Sequence, residues 1–214
     1  MLLFGHIGIT IALVKACEVL ASRIEYDCSD TSRTGLKAGS AAQGVRLRIR
    51  CSVGKVRSRI GAIDYRLVLL GSILPDIIDK PVWFLVSNIS AESVLGGRGY
   101  AHTLAFNLVL LLGGLVLIKY RKRWLLVLSL CSLGHLVCDQ MWGSPATLLW
   151  PFLGPLPAKE TAGWLSDVIR DLFTDPDSGI PEIVGLLALL FLLPAYRLVT
   201  KKGVVAFLSD GTLG

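Results

Sequence analysis

The sequence has few charged side chains and none of the common local motifs for nucleotide binding or a nucleophilic serine. Asp, Glu, Lys and Arg make up 18% of the 214 residues, whereas 53% are hydrophobic, and the mean hydropathy is +0.62. Soluble domains usually carry about 25% charged residues. No P-loop, GxGxxG or GxSxG motif and no internal repeat is present. The composition excludes an ordinary soluble domain and predicts a polytopic membrane protein.

Cysteine is also too sparse to organise the fold. The five cysteines form no CxxC pair and no zinc-finger spacing, and three of them fall within apolar runs (Cys17, Cys28, Cys51, Cys131, Cys138). They therefore predict no disulfide framework and give no redox argument.

Apolar runs set the predicted architecture. The first run lacks the basic start and the cleavage site of a signal peptide, so we interpret it as a retained helix. The third is Leu-rich and uninterrupted. The predicted fold class is an all-α integral membrane protein, one domain built as a bundle of about five transmembrane helices, at residues 1–21, 67–86, 102–118, 124–142 and 181–199.

Two segments outside these runs have patterns of their own. Residues 22–66 form a basic insertion, in which residues 45–60 alternate apolar and basic side chains and predict a strand or hairpin turning near Gly54. Its basic face would be solvated, or would rest on anionic head groups. Residues 158–173 predict a short interfacial helix, because their apolar positions recur at helical spacing.

The distribution of basic residues predicts the orientation in the membrane. Residues 22–66 hold ten Lys or Arg, residues 119–123 hold four and the C-terminal edge holds three, together 17 of the 22. By the positive-inside rule, the N-terminus is outside and the C-terminus cytoplasmic in the cell membrane. The net charge of +6 is then a topology signal and predicts no nucleic-acid partner.

Two pairs of ionisable residues interrupt the apolar runs. His135 and Asp139 are four residues apart, and Asp76 and Asp79 are three apart, so each pair shares a helical face. Ionisable groups are rare in membrane spans unless they serve a function. Each pair has a structural alternative: a histidine–carboxylate hydrogen bond between helices, or neutralisation of an aspartate by Lys80.

Prolines flank the aspartate pair. Pro75 and Pro81 should break or kink the second span near Asp76 and Asp79. Two uncompensated carboxylates would repel each other there, and a divalent cation removes that repulsion.

The predicted orientation brings all three histidines and these aspartates toward the outer leaflet. This convergence favours a metal site facing outside, holding one or two divalent transition ions, with Zn or Mn favoured by mixed imidazole and carboxylate ligands. Arg98, beside flexible glycines, is a candidate phosphate clamp, and Lys80 a weaker one. The candidate ligands are His6, Asp76, Asp79, His102, His135 and Asp139.

Several motifs carry a family resemblance. HIGIT, LPDIIDKP, GRGYAHT, GHLVCDQMWG and the following LLWPF resemble the YdjM-like membrane-bound metal-dependent hydrolase family. The resemblance covers the first four spans and fades after about Gly154. It implies that the same six His and Asp residues bind metal. Family members often carry a histidine where this chain has Gly97.

We therefore predict a metal-dependent hydrolase, with Asp79, Arg98 and His102 as its catalytic residues. Its expected substrate is a phosphoester, most readily one carried by a membrane lipid that approaches laterally. Two other classes remain open: a metal-ion or proton-coupled transporter using the same cluster, and a membrane scaffold whose buried pairs are structural.

Overall fold

All regular structure in the described residues is helical. The computed structural model describes residues 3–34, 63–89, 97–157 and 164–213. Within them lie nine α-helices, at Leu3–Thr34 (α1), Tyr65–Ser72 (α2), Leu74–Ile89 (α3), Leu104–Ile118 (α4), Trp124–Cys138 (α5), Pro145–Leu148 (α6), Trp164–Thr174 (α7), Pro176–Ala195 (α8) and Lys201–Asp210 (α9). Two 3-10 helices add Tyr100–His102 and Met141–Gly143. The all-α prediction is confirmed for these ranges, and the strand or hairpin predicted at residues 45–60 lies outside them.

The chain divides into two compact units. The first contains residues 1–11 and 64–214, and the second contains residues 12–63. In the described part of the second unit, Lys15 and Glu18 on α1 form an ion pair of 2.9 Å one helical turn apart. The helix contacts and the site described below belong to the first unit.

Two of the described helices are long and apolar enough to cross a membrane. They are residues Leu3–Ser22 of α1 and the whole of α8, each 20 residues long. α4 and α5 have 15 residues each, about 22 Å at 1.5 Å per residue, less than the roughly 30 Å of a bilayer core. The prediction of five spans is therefore not confirmed.

The predicted second span consists of two helices. α2 ends at Ser72 and α3 begins at Leu74, with Ile73 between them at φ −121°. The break thus falls before the prolines. Pro75 lies in the first turn of α3, where its missing N–H has no intrahelical partner to lose, and Pro81 lies inside α3.

α8 begins five residues before its predicted start at Pro181. Asp175 is its N-cap, and its side chain accepts a hydrogen bond of 3.2 Å from the backbone N–H of Asp177. Pro176 follows at the first helical position, which its fixed φ favours. The cap sets the helix start, so Pro181 lies within the helix.

Many of the buried side chains in the first unit are polar, while apolar side chains cover much of its outside. Phe84, Val109 and Phe191 are 63%, 70% and 73% exposed. This inversion is typical of a protein whose surroundings are lipid, and together with α1 and α8 it indicates a membrane location. The buried polar side chains include Thr10, Ser72, Thr103, Asn107, Ser129, Ser132 and Thr147.

Glycines allow the helices to approach closely. A Cβ on Gly71 of α2 would lie 2.7 Å from the carbonyl oxygen of Leu128 on α5. A Cβ on Gly8 of α1 would overlap the carbonyl of Gly185 on α8. Small residues serve this purpose at helix crossings in membranes. The α1–α8 crossing lies two residues after His6 and fixes that end of α1.

The C-terminal residues are bound to the start of α2. Arg66 donates through Nη1 to the carbonyl of Leu208 at 2.8 Å and through Nη2 to Asp64 at 2.7 Å. The backbone N–H of Tyr65 donates to the carbonyl of Gly211 at 2.7 Å. The hydrogen bond from Arg66 lowers the pKa of the Asp64 carboxyl below its ordinary value.

Candidate metal centre

The end of α2 fixes the ring of His135. Nδ1 of this fully buried histidine lies 2.7 Å from the carbonyl oxygen of Ser72. α2 ends at Ser72, so this carbonyl belongs to the group that a helix terminus leaves free. A carbonyl can only accept, so Nδ1 carries the proton and Nε2 keeps its lone pair.

Asp79 fixes the ring of His102 in the same way. Its Oδ2 lies 2.7 Å from Nδ1 of His102. Its two oxygens also accept backbone N–H groups from Gly99 at 2.8 Å, Ala101 at 3.0 Å and His102 at 3.2 Å. Both oxygens are thus occupied, and we interpret Asp79 as the residue that orients His102. In the neutral ring, a proton on Nδ1 leaves the lone pair on Nε2 of His102, as it does for His135.

These two lone pairs face each other among carboxylates. Nε2 of His102 and Nε2 of His135 are 3.2 Å apart. Oδ1 of Asp76 lies 3.6 Å from Nε2 of His102 and 4.0 Å from Nε2 of His135. Oδ2 of Asp139 lies 3.7 Å from Nε2 of His102 and 4.0 Å from Nε2 of His135. Two unprotonated nitrogens this close repel each other, and a shared cation would replace that repulsion with attraction.

The separations fit a metal ion. Two donors bound at about 2.1 Å to one ion lie roughly 3.0 Å apart at a right angle and roughly 3.4 Å apart at a tetrahedral angle. The observed 3.2 Å to 4.0 Å needs only small side-chain movements to reach these values. Two groups of donors, one of His102, His135 and Asp139 and one of His6, Asp76 and His135, each lie within 4.8 Å of one another.

The hydrogen-bond partners of His102 and His135 also fit a metal site. A metal-binding histidine usually donates its other ring N–H to a carboxylate or a backbone carbonyl. Nδ1 of His102 faces the carboxylate of Asp79, and Nδ1 of His135 faces the backbone carbonyl of Ser72. These residues could therefore hold a divalent ion, and their mixed nitrogen and oxygen donors suit Zn or Mn.

His6 brings a third imidazole from α1. Its ring is fully buried and stacks on His135, with centroids 3.9 Å apart and planes inclined by 18°. Its Nε2 lies 3.1 Å from Oδ1 of Asp139, yet neither ring nitrogen makes a well-directed hydrogen bond to the described part of the chain. A buried imidazole left in this way costs free energy unless another partner binds it, which also fits a metal ligand.

Two cations lie on the exposed side of the carboxylates. Nζ of Lys80 is 2.7 Å from Oδ2 of Asp76, and Nε of Arg98 is 3.0 Å from Oδ2 of Asp139. The side chains of Lys80 and Arg98 are 54% and 40% exposed, whereas that of Asp139 is 4% exposed. The centre is therefore reached from the side that carries these two positive charges.

The sequence argument missed Asn107. Its fully buried side chain donates to the carbonyls of Ala101 and Thr103, each at 2.9 Å, and accepts from the hydroxyl of Ser132 at 2.6 Å. It thus holds the 3-10 helix that carries His102. The signal was present, since a lone asparagine in a Leu-rich run must bury its amide.

Glu182 was missed as well. It falls at the start of the predicted fifth span but was not considered as a buried carboxylate; it lies within α8 and is only 6% exposed. Its Oε1 is buried without a hydrogen-bond partner among the described residues. Because α8 begins at Pro176, Glu182 lies in the second turn of the helix rather than at its start, and its side chain is buried.

Comparison with known proteins gives one match. The model of the YdjM inner membrane protein family matches residues 31–204, which include every candidate ligand except His6. No curated protein and no solved structure matches the chain. Because the family model covers more than half of the sequence, the chain belongs to the YdjM inner membrane protein family.

Proposed function

We propose that this protein is a membrane-embedded metal-dependent hydrolase acting on a phosphoester of a lipid or another membrane-associated molecule. One observation carries the proposal: Nε2 of His102 and Nε2 of His135, in two rings whose Nδ1 atoms each face an acceptor, lie 3.2 Å apart between Asp76 and Asp139. A hydrogen bond between those two nitrogens would require one of the rings to carry a proton on both of its nitrogens.

The metal would supply the polarising chemistry. Bound between imidazoles and carboxylates, a divalent transition ion lowers the pKa of water and polarises a phosphoryl oxygen. The chain's own residues orient the donors: Asp79 holds the proton on Nδ1 of His102, and the Ser72 carbonyl holds the proton on Nδ1 of His135.

Two side chains are available to bind the phosphate. Arg98 and Lys80 carry exposed positive charge beside the centre, each in contact with one of the carboxylates. Guanidinium and ammonium groups both bind phosphate oxygens, and Arg can do so with two parallel hydrogen bonds. We assign Arg98 as the main phosphate contact and Lys80 as a second one.

Exposed aromatic side chains support a lipid-borne substrate. Tyr100, two residues before His102, is 48% exposed and packs edge-to-face on Trp150 with centroids 5.1 Å apart. Trp142, three residues after Asp139, is 62% exposed. Tyr and Trp favour the boundary between lipid and water. Such residues beside the ligands favour a site at the head-group level, where a lipid phosphoester can approach sideways.

The test combines metal content and activity. The purified protein is analysed for metals and then assayed on a panel of phosphoesters that includes phospholipids. His135→Ala and Asp139→Ala should abolish both bound metal and hydrolysis while the protein still inserts into membranes. Asp177→Ala, which removes an exposed carboxylate on α8, should change neither.

Two results would overturn the proposal. Hydrolysis that persists in His135→Ala and Asp139→Ala would place the chemistry elsewhere. A protein that binds metal, hydrolyses nothing and admits metal ions into sealed vesicles would be a transporter instead.

A further inference from the structure

A cavity lies far along the chain from the metal centre. It is a notch of about 1030 Å³ between the end of α8 and the start of α9. Its lining runs from Pro194 to Gly203 and adds Ala206 and Thr212. No residue of the candidate metal centre belongs to it. The volume is within the range of small-molecule sites.

Three positive charges line this notch without a counter-charge. Arg197, Lys201 and Lys202 have no carboxylate within ion-pair distance among the described residues. Five other described cations do pair with a carboxylate: Lys15, Arg66, Lys80, Arg98 and Arg170. Uncompensated cations around one cavity repel each other, and a bound anion would remove that repulsion.

The backbone builds the notch before any ligand arrives. Arg197 has φ +56°, a left-handed conformation that is uncommon for a residue with a side chain. A Cβ on Gly203 would overlap the carbonyl of Arg197, so glycine permits the tight return of the chain. Thr200 closes the turn, since its hydroxyl donates to Arg197 at 2.8 Å and accepts from Gly203 at 3.1 Å.

The position of the notch indicates what reaches it. α8 is long and apolar enough to span a membrane, and the notch opens where α8 ends. On α9, Val204, Val205 and Leu208 are 40%, 65% and 63% exposed and lie on one helical face. A short helix with lysines at its start and an exposed apolar face is suited to lie in the membrane interface. The notch then faces the layer of lipid head groups.

We propose that this notch binds the phosphate head group of an anionic phospholipid. The lipid's phosphate contacts Arg197, Lys201 and Lys202, and its acyl chains lie along the exposed apolar residues of α8 and α9. The lipid is a structural partner of this end of the molecule, and the proposal is independent of the hydrolase proposal, because the two sites share no residue.

The test measures retention of an anionic lipid by the full-length protein. The protein is reconstituted in nanodiscs of phosphatidylcholine with a minor fraction of a fluorescent phosphatidylglycerol, and binding is read by energy transfer from the protein's tryptophans. The notch variant is Arg197→Asn, Lys201→Gln and Lys202→Gln; asparagine is chosen because it tolerates a left-handed backbone. Each basic residue near an anionic surface contributes about fivefold in affinity, so the triple variant should bind roughly 100-fold more weakly.

The turn between α4 and α5 supplies a matched control. It also follows an apolar helix, carries exposed Lys119, Arg121 and Lys122, and has its arginine at φ +58°, but these residues do not line the notch. The variant Lys119→Gln, Arg121→Asn and Lys122→Gln removes the same charge and should retain the lipid.

Every outcome decides the proposal. Equal loss in both triple variants would mean general attraction between a basic protein and anionic lipid, and would overturn it. Undiminished binding in the notch variant would overturn it too. Full displacement of the lipid by millimolar inorganic phosphate would show a site for free anions instead. If the triple variant does not fold, Lys201→Gln with Lys202→Gln should still weaken binding about 25-fold, and failure to do so would count equally against the site.

Discussion

Replacing Asp79 by asparagine tests whether Asp79 orients the metal ligand His102 or binds the metal itself. The carboxylate accepts four hydrogen bonds, three from backbone N–H groups and one from Nδ1 of His102. In Asp79→Asn, one oxygen remains and an NH₂ group replaces the other, so one bond is lost if the NH₂ group replaces Oδ1 and three are lost if it replaces Oδ2. Hydrogen bonds to a charged acceptor contribute about 1.5–3 kcal/mol each, so the loss of one bond costs about that much before movement of the loop reduces it.

The expected result is a weakened metal centre that still binds. Loss of an outer hydrogen-bond partner typically costs 10–100-fold in metal affinity, and we expect Asp79→Asn to fall in that range. Asp76→Asn should cost more, because Asp76 offers its oxygen to the metal directly. Affinity is measured by competition with a zinc-binding fluorescent chelator on purified protein.

Asp64→Asn is the matched control for this experiment. It removes the same charge from an aspartate whose partner is Arg66, outside the centre, and should leave metal affinity unchanged. Unaltered affinity in Asp79→Asn would refute the orienting role. A loss as large as that of Asp76→Asn would show instead that Asp79 binds the metal itself.

Three further predictions concern stability. Gly185→Ala should lower the unfolding temperature in a thermal scan, because the added methyl group overpacks the α1–α8 crossing at a cost of about 1–3 kcal/mol. Gly134→Ala is the control: its methyl group meets no atom within 4 Å, so the variant should be neutral or slightly stabilising. Asn107→Leu leaves two carbonyls without their donor and should lower the free energy of unfolding by about 1–3 kcal/mol. It should also weaken metal binding in the chelator assay. Unchanged metal binding would contradict the role of Asn107 in supporting His102. Arg66 lowers the pKa of Asp64 in the folded protein, so the stability from this pair is present above about pH 4 and is lost as the pH falls through the lowered pKa. Wild type and Asp64→Asn should therefore differ in denaturant midpoint at pH 7 and converge in strong acid. A difference that stays constant with pH would contradict this.

The chemistry of the site was easier to predict than the geometry of its helices. Ionisable residues in apolar runs stand out, and the spacing of His135 and Asp139 placed both on one face even though α5 ends at Cys138. Their proximity to His6 and His102, with 3.2 Å between two ring nitrogens, depends on packing between distant segments, which the spacing within one run does not determine.

The helix boundaries depended on local interactions, such as helix caps and the position of a proline, that a run of apolar residues does not show. The break at Ile73 came before the prolines, because a proline in the first turn of a helix fits without cost. The Asp175 cap places the start of α8 at Pro176, so Glu182 lies in the second turn of the helix rather than in its first. The lone amide of Asn107 was visible in the sequence, but its partners, the carbonyl of Ala101 and the hydroxyl of Ser132, depend on the packing. The number of spans and their orientation stay predictions.

X-ray absorption at the edge of the bound metal tests the central claim most directly. The protein is purified without chelators and loaded with zinc. The spectrum should show nitrogen and oxygen neighbours at about 2.0–2.2 Å with the outer-shell scattering of at least two imidazoles. Sulfur neighbours at about 2.3 Å, as thiolate ligands would give, or a protein that retains no stoichiometric metal, would contradict a centre built from His102, His135, Asp76 and Asp139.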